Sequence, residues 1–294
     1  MKAFILRNCF VVLVIISSQV MTEPSFAGTF SIDSGYVEVN GGRIFYETTG
    51  KGPVIVMIHD GVLHRETWNG QFAAFAGSHR VIRWDRRGYG RSDSPKASFS
   101  NLDDLLILMR SLKVERATLL GCSSGALLAI DFALEHPEKV SSLVLVGPIV
   151  SGFGFTKHFK TRGDRGKPKA GAPAAEKIKY WIRKDPWLTA PGSKAAKDEM
   201  EMLLAANPQN LSGSGRYARG PGRPAVGLLS EIKVPTLIIA GESDIPDVHA
   251  HIGVIQASIA KSQRVVLTHS GHLAHFEVPD AFNRVVLDFL ETAE

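Results

Sequence analysis

The chain has 294 residues, 44% of them hydrophobic and 21% charged, with two cysteines and a formal net charge of +5. That composition excludes a disordered chain, a collagen-like repeat and a small disulfide-stapled scaffold, and it supplies material for one large core. The charge is unevenly placed: residues 151–226 carry 15 Lys or Arg against 6 Asp or Glu, residues 1–27 carry a surplus of one positive charge, and the remainder is acidic.

Residues 1–27 read as a secretory signal. Lys2 and Arg7 give a positive start, Cys9 to Ile16 is an apolar run, and Ser25-Phe26-Ala27 fits a small-x-small cleavage site before Gly28. The apolar run is shorter than the ~20 residues a bilayer span needs. The expectation is an exported protein, periplasmic or secreted, that begins near Gly28 and has no stable membrane span once the signal is cleaved. Cleavage removes Cys9 and leaves Cys122 alone, so no intramolecular disulfide can form.

Tyr36–Asn40 and Arg43–Glu47 alternate around Gly41-Gly42 and predict a hairpin. Val54–Ile58 is continuously apolar, as a strand buried on both faces should be. It ends in His59-Asp60-Gly61, and a helix is expected from about Thr67 to Ala76. Arg80–Trp84 is the next strand and runs into the Gly-rich polar loop Asp85–Ser92, whose aspartate and arginines are expected to pair internally. A helix follows from Asn101 or Asp103 to Leu112. Ala117–Leu120 is a strand, Ala126–His136 has helical apolar spacing and stops at Pro137, and Val140–Val146 is a further buried strand.

The alternation breaks from Ser151 to Val226. That basic insert contains two helical segments, Ala174–Asp185 and Ser193–Ala206, and a Gly-rich stretch, Ser212–Pro224, read as flexible. It then resumes with a strand over Val234–Ala240, a helix over Asp247–Ala260, a strand over Arg264–Thr268 and a last helix from Pro279 to Leu290. Strands alternating with helices predict an α/β fold with a mostly parallel sheet covered on both faces. The expected organisation is a signal (1–27), the first part of a core (28–150), a cap insertion (151–226) and the second part of the core (227–294).

The chemistry centres on Gly121-Cys122-Ser123-Ser124-Gly125. Strand, Gly-x-Ser-x-Gly, helix is the context of a nucleophile elbow, with Ser123 in a strained backbone conformation at the apex. Ser124, and Cys122 as a thiol, are the alternatives in this frame. A serine needs a base and a carboxylate to orient that base. Ligands of open parallel sheets sit at the carboxyl ends of strands. Asp244 and His272 each follow a strand, giving the chain order Ser, Asp, His. Asp247 is the alternative acid. His269, His272 and His275 are spaced closely enough to suggest a metal, but there is no His-Glu-x-x-His and a triad base accounts for His272 better.

These residues resemble the α/β-hydrolase family of esterases, lactonases and C–C hydrolases from about Tyr36 to Leu290. The marks are Ile58-His59 followed by Trp68, the Asp85–Ser92 loop, Gly121-x-Ser-x-Gly125, Gly241-x-x-Asp244 and the run Gly271–Pro279. The resemblance implies an eight-stranded, mostly parallel sheet under a helical cap. It implies Ser123 as nucleophile, His272 as base and then acid, Asp244 as orienter, and an oxyanion hole made by the backbone N–H groups of Gly61 and Ser124. His59 is expected to support that hole. The chain departs from the family at Asp60, where glycine is usual, which puts a carboxylate beside the hole. The expected reaction is hydrolysis of an ester, lactone or related acyl bond of a small molecule through an acyl-enzyme. Cofactor-free haloperoxidase or perhydrolase chemistry, C–C bond hydrolysis and a non-catalytic ligand- or polyanion-binding role remain open alternatives. No cofactor, metal or nucleic-acid partner is expected, and the basic insert reads as a solvated face, with steering of anionic substrates or attachment to an anionic surface as the alternative.

Overall fold

In the computed structural model the described residues are 11–12, 31–161, 167–169, 171–183 and 188–293. The signal read over residues 1–27 lies outside them, apart from Val11–Val12, a two-residue strand on one sheet edge.

Besides that short edge strand, eight strands form the main sheet: β1 (Asp33–Val39), β2 (Gly42–Thr49), β3 (Val54–Ile58), β4 (Arg80–Trp84), β5 (Ala117–Cys122), β6 (Val140–Val146), β7 (Thr236–Gly241) and β8 (Ser262–Leu267). From the Val11–Val12 edge the order is β8, β7, β6, β5, β3, β4, β2, β1, and all pairings are parallel except β1–β2 and β2–β4. The strand assignments from periodicity hold; β3, β4 and β6 start and stop at the expected residues. The helix expected at 67–76 splits into a 3₁₀ turn, Arg65–Trp68, and α1, Asn69–Phe75.

Successive side chains of a strand face opposite ways, and both faces of this sheet are buried. Val56 and Ile58 of β3 pack into one apolar layer with Leu105 and Leu108 of α2 (Asn101–Ser111), Phe132 of α3 (Ser124–Glu135) and Ile252. Ile55 and Met57 pack into the other layer with Phe72, Phe75, Phe282 and Val286. The sheet is therefore clamped between two helical layers, and the ends of its central strands are left to carry the loops.

Between β6 and β7 the chain leaves the sheet and forms α4 (Lys157–Thr161), α5 (Ala174–Arg183) and α6 (Lys194–Ala206). The stretch read as flexible is partly regular: Ser214–Tyr217 is a 3₁₀ turn and Ala218–Arg219 pairs in parallel with Phe99–Ser100. That pairing is between short segments far apart in sequence, so periodicity does not show it. The two ends of the excursion are tied together on α3. Ser151 Oγ donates to Asp131 Oδ1 at 2.9 Å and accepts from the Ala225 N–H at 2.8 Å, and the Val226 N–H donates to the Ser151 carbonyl at 3.0 Å. Among the described residues no helix is long and apolar enough to cross a membrane.

Burial pushes the Asp131 carboxyl up to about 6, although the Ser151 hydroxyl opposes the shift. Between its ordinary value of 3.8 and about 6 the folded carboxyl binds more protons than the unfolded one, so stability falls as pH rises through that window. Asp131→Asn keeps an acceptor for Ser151 and cannot ionise. Its unfolding free energy relative to wild type is expected to rise by roughly 1–3 kcal/mol between about pH 4 and about pH 7, read by urea denaturation. A difference that does not change with pH would show that Asp131 does not titrate there.

Candidate active site

The turn from β5 into α3 leaves no room for side chains at its flanks. A Cβ on Gly121 would lie 2.4 Å from the Gly125 carbonyl oxygen, and one on Gly125 would lie 2.3 Å from that of Ile58. Ser123 sits at the apex with φ 54° and ψ −115°, a conformation that costs a non-glycine residue about 1–3 kcal/mol and persists only where the surroundings enforce it. Its N–H donates to the Val146 carbonyl at 2.9 Å, which fixes the apex against the end of β6.

His272 and Asp244 pair with each other. His272 Nδ1 lies 2.8 Å from Asp244 Oδ1, and both side chains are buried. Asp244 Oδ1 also accepts from the Ile245 N–H at 2.6 Å. Gly147, which follows β6, passes so close that a Cβ there would sit 2.9 Å from His272 Nδ1 and 3.0 Å from Asp244 Oδ2. The sulfur of Cys122 lies 3.9 Å from the His272 carbonyl. Ser123, Val146, Gly147, His272 and Asp244 thus form one contiguous cluster at the ends of β5 to β8.

The alternatives have other occupations. Cys122 is fully buried, and burial, with Asp60 and Asp244 nearby, pushes its thiol well above the ordinary range, so it is no nucleophile. Asp247 accepts from the Thr156 N–H at 2.6 Å and from the Thr156 hydroxyl at 3.0 Å, which anchors the start of α4. His269 is exposed. His275 is buried 3.0 Å from Thr67 Oγ1 against the Trp68 ring, and burial, with His272 adding to it, pushes it down to about 3, so it stays neutral. Among the described residues no group of three or more His, Cys, Asp or Glu is placed to hold a metal ion.

Gly61 and Ser124 stand side by side: a Cβ on Gly61 would lie 3.3 Å from Ser124 Oγ. The carboxylate of Asp60 turns along its own loop. Oδ1 accepts from the Val62 N–H at 2.6 Å and the Leu63 N–H at 3.0 Å. Asp60 therefore shapes the bend that follows β3. A cavity of about 320 Å³ opens beside Gly61 and Ser124, with an apolar floor of Phe99, Leu102, Leu127 and Leu128 and with Arg86 and Arg219 in its wall.

Instead of the expected internal pairing, the charged side chains Asp85 and Arg87 of the Asp85–Ser92 loop pair with residues outside it. Asp85 accepts from the Arg65 guanidinium at 3.0 Å and the Arg91 N–H at 2.9 Å, and Arg87 grips Asp104 through two bonds of 2.8 and 2.6 Å. Arg86 is the residue that sequence reasoning missed. It turns to Asp60 and Ser124, and the only sign in the sequence is that the loop carries two arginines in succession.

The chain is 30% identical over 294 residues to a 2-hydroxy-6-oxononadienedioate/2-hydroxy-6-oxononatrienedioate hydrolase of Paraburkholderia phymatum, a match that spans 89% of this chain and 97% of that protein. It is 28% identical over 264 residues to a 2-hydroxy-6-oxo-6-phenylhexa-2,4-dienoate hydrolase of Burkholderia cepacia, spanning 84% and 91% of the two. The solved enol-lactonase of Burkholderia xenovorans has the same fold, with a TM-score of 0.74 at 24% identity over 87% of this chain and 100% of that one. The model of the alpha/beta hydrolase family matches residues 55–285. With the elbow and the buried His–Asp pair both inside that match, the chain belongs to the alpha/beta hydrolase family.

Proposed function

We propose that the protein is a serine hydrolase that cleaves an ester, lactone or related acyl bond of a small molecule. The observation that carries this reading is the buried Asp244–His272 pair, set against the same strand ends that project Ser123. Ser123 Oγ attacks the acyl carbon and its proton passes to His272. The oxyanion is met by the N–H groups of Gly61 and Ser124. Collapse expels the leaving alcohol, which takes the proton from His272, and water repeats the sequence on the acyl-enzyme. Asp244 holds the ring in place and stabilises the imidazolium.

A second reading uses the same residues. The relatives described above are named for substrates that carry a ketone and one or two carboxylates. Hydrolysis of a carbon–carbon bond next to a ketone is therefore the alternative reaction, and its substrate would be anionic. Arg219, in the wall of the cavity beside Gly61 and Ser124, supports anionic substrates; its guanidinium lies 3.8 Å from Asp103 and is largely exposed.

We also infer that residues 1–27 are an export signal and that the working protein is periplasmic or secreted. The support is compositional: a positive start, a short apolar run and a small-residue cleavage site.

Ser123→Ala is expected to lower kcat by roughly 10⁴-fold on an aryl ester while the fold remains, and Asp244→Asn to be severe. Asp247→Asn should change stability more than turnover. Near-wild-type turnover of Ser123→Ala would sink the assignment, and a larger loss for Asp247→Asn than for Asp244→Asn would show that the wrong acid is named. Steering is screened beyond about 8 Å at physiological salt, so kcat/KM for an anionic ester should fall with added salt while its neutral isostere holds steady. Charge reversal at Arg219 should flatten that response; equal salt curves for both esters would remove the case for anionic substrates. Intact mass of exported protein is expected to place the N-terminus at Gly28, and a full-length mass in the membrane fraction would contradict the signal.

A further inference from the structure

One peptide of the proposed oxyanion hole is held from behind. The Asp60 carbonyl oxygen accepts from His59 Nδ1 at 2.7 Å and from Arg86 Nη2 at 2.5 Å, so both its lone pairs are occupied. The second hydrogen of the same Nη2 goes to Ser124 Oγ at 2.9 Å. The next carbonyl along, that of Gly61, accepts from the Tyr89 hydroxyl at 3.0 Å. The ring nitrogen His59 Nε2 accepts from the Arg86 backbone N–H at 3.0 Å, which assigns the proton to Nδ1 and makes the ring neutral. Burial, with the Arg86 charge beside it, pushes the His59 pKa well below the ordinary value in the same sense.

We infer that Arg86 is a positioning residue for the oxyanion hole: one guanidinium nitrogen pins the Asp60–Gly61 peptide to Ser124, so that the two N–H groups that meet the oxyanion are held at a fixed separation. The inference rests on the serine hydrolase reading. Its physical basis is the planar amide. The Asp60 C=O and the Gly61 N–H belong to one trans peptide and point in opposite directions, so fixing the carbonyl fixes the donor. A donor on the carbonyl also polarises the amide and strengthens its N–H on the other side. Preorganised donors are worth most where water is excluded, and Arg86 and Asp60 are both buried. Asp60, the residue that departs from the family, supplies a negative charge that attracts the buried guanidinium. A lysine could carry the charge but not the planar group that aims two hydrogens at two acceptors.

The test uses the full chain, an aryl acetate and two aryl ketones. With the trifluoromethyl ketone, Ser123 Oγ adds to the carbonyl carbon, its proton passes to His272, and the carbonyl oxygen becomes an oxyanion in the hole. The plain methyl ketone stays a ground-state carbonyl. Arg86→Met is expected to lower kcat by about 10–100-fold with KM within about threefold, and to weaken the trifluoromethyl ketone by the same factor as kcat. Binding of the methyl ketone should not change, and Arg86→Lys should recover part of the loss. If Arg86→Met does not fold, Ser124→Ala carries the test. It removes the second acceptor of Nη2 but keeps the Ser124 N–H, and roughly a three- to tenfold loss in kcat and in trifluoromethyl ketone affinity is expected. In a folded variant, unchanged kcat, an effect on KM alone, or equal weakening of both ketones would overturn the inference. A wild-type Ser123 that fails to react with a fluorophosphonate would overturn the serine hydrolase reading and the inference with it, whereas a labelled Ser123 with indifferent Arg86 variants would overturn the inference alone.

Discussion

The site depends on a backbone contact with no side chain in it. Gly125, at the start of α3, lies so near the Ile58 and His59 carbonyls that any Cβ would overlap them, and Gly121 is pressed equally hard against the Gly125–Ala126 peptide. Strand β3, strand β5 and helix α3 can reach this spacing only with glycine at both flanks. The residue between them is then forced to a positive φ, and its side chain is lifted off the sheet at the first turn of a helix. Everything else is arranged with respect to that point. The β3 end brings Gly61 beside Ser124, the β6 end supplies the acceptor for the Ser123 N–H, and the loops after β7 and β8 deliver Asp244 and His272.

Around this point several charged side chains are buried, and three of the arginines have partners that fix geometry. Arg65 joins Asp85 to Glu47, Arg83 joins Glu47 to Asn69, and Arg87 grips Asp104. Buried pairs of this kind contribute little net stability against apolar replacements, but breaking one strands its partner at a cost of about 3–5 kcal/mol. They therefore act as rivets that fix the loop after β4 against β2, the first turn after β3 and helix α2. Arg86 belongs to the same loop and reaches the other way, into the catalytic edge, so the rigidity of the rivets is passed to the Asp60–Gly61 peptide.

The insertion between β6 and β7 is fastened by the same means. Its ends meet at Ser151 and Asp131 on the helix of the elbow. Its middle is held by Glu277, which accepts from the Ala190 N–H and the Ser193 hydroxyl at 2.7 Å each and, through its other oxygen, from the Gly271 N–H at 2.9 Å. Gly271 directly precedes His272. One carboxylate thus ties the insertion to the loop that carries the proposed base.

Much of this was legible in the sequence because it is written in short-range chemistry. A parallel strand buried on both faces reads as a continuous apolar run, which is why β3 could be bounded to the residue. A tight strand-to-helix turn must be flanked by glycine, which singles out Ser123 over Ser124 and Cys122. Acids and histidines just after strands must sit at one edge of a parallel sheet, which brought Asp244 and His272 together across 28 residues. What the sequence could not carry is direction. Whether the Asp60 carboxylate faces the oxyanion hole or its own loop depends on the Val62 and Leu63 N–H groups that receive it. Whether Asp247 serves catalysis or the insertion depends on Thr156, 91 residues away. The role of Arg86 and the strand pairing of Ala218–Arg219 likewise exist only once segments distant along the chain are side by side. The types and order of the reacting groups are local properties of the chain; their aim is set by contacts between residues that only the tertiary fold makes neighbours.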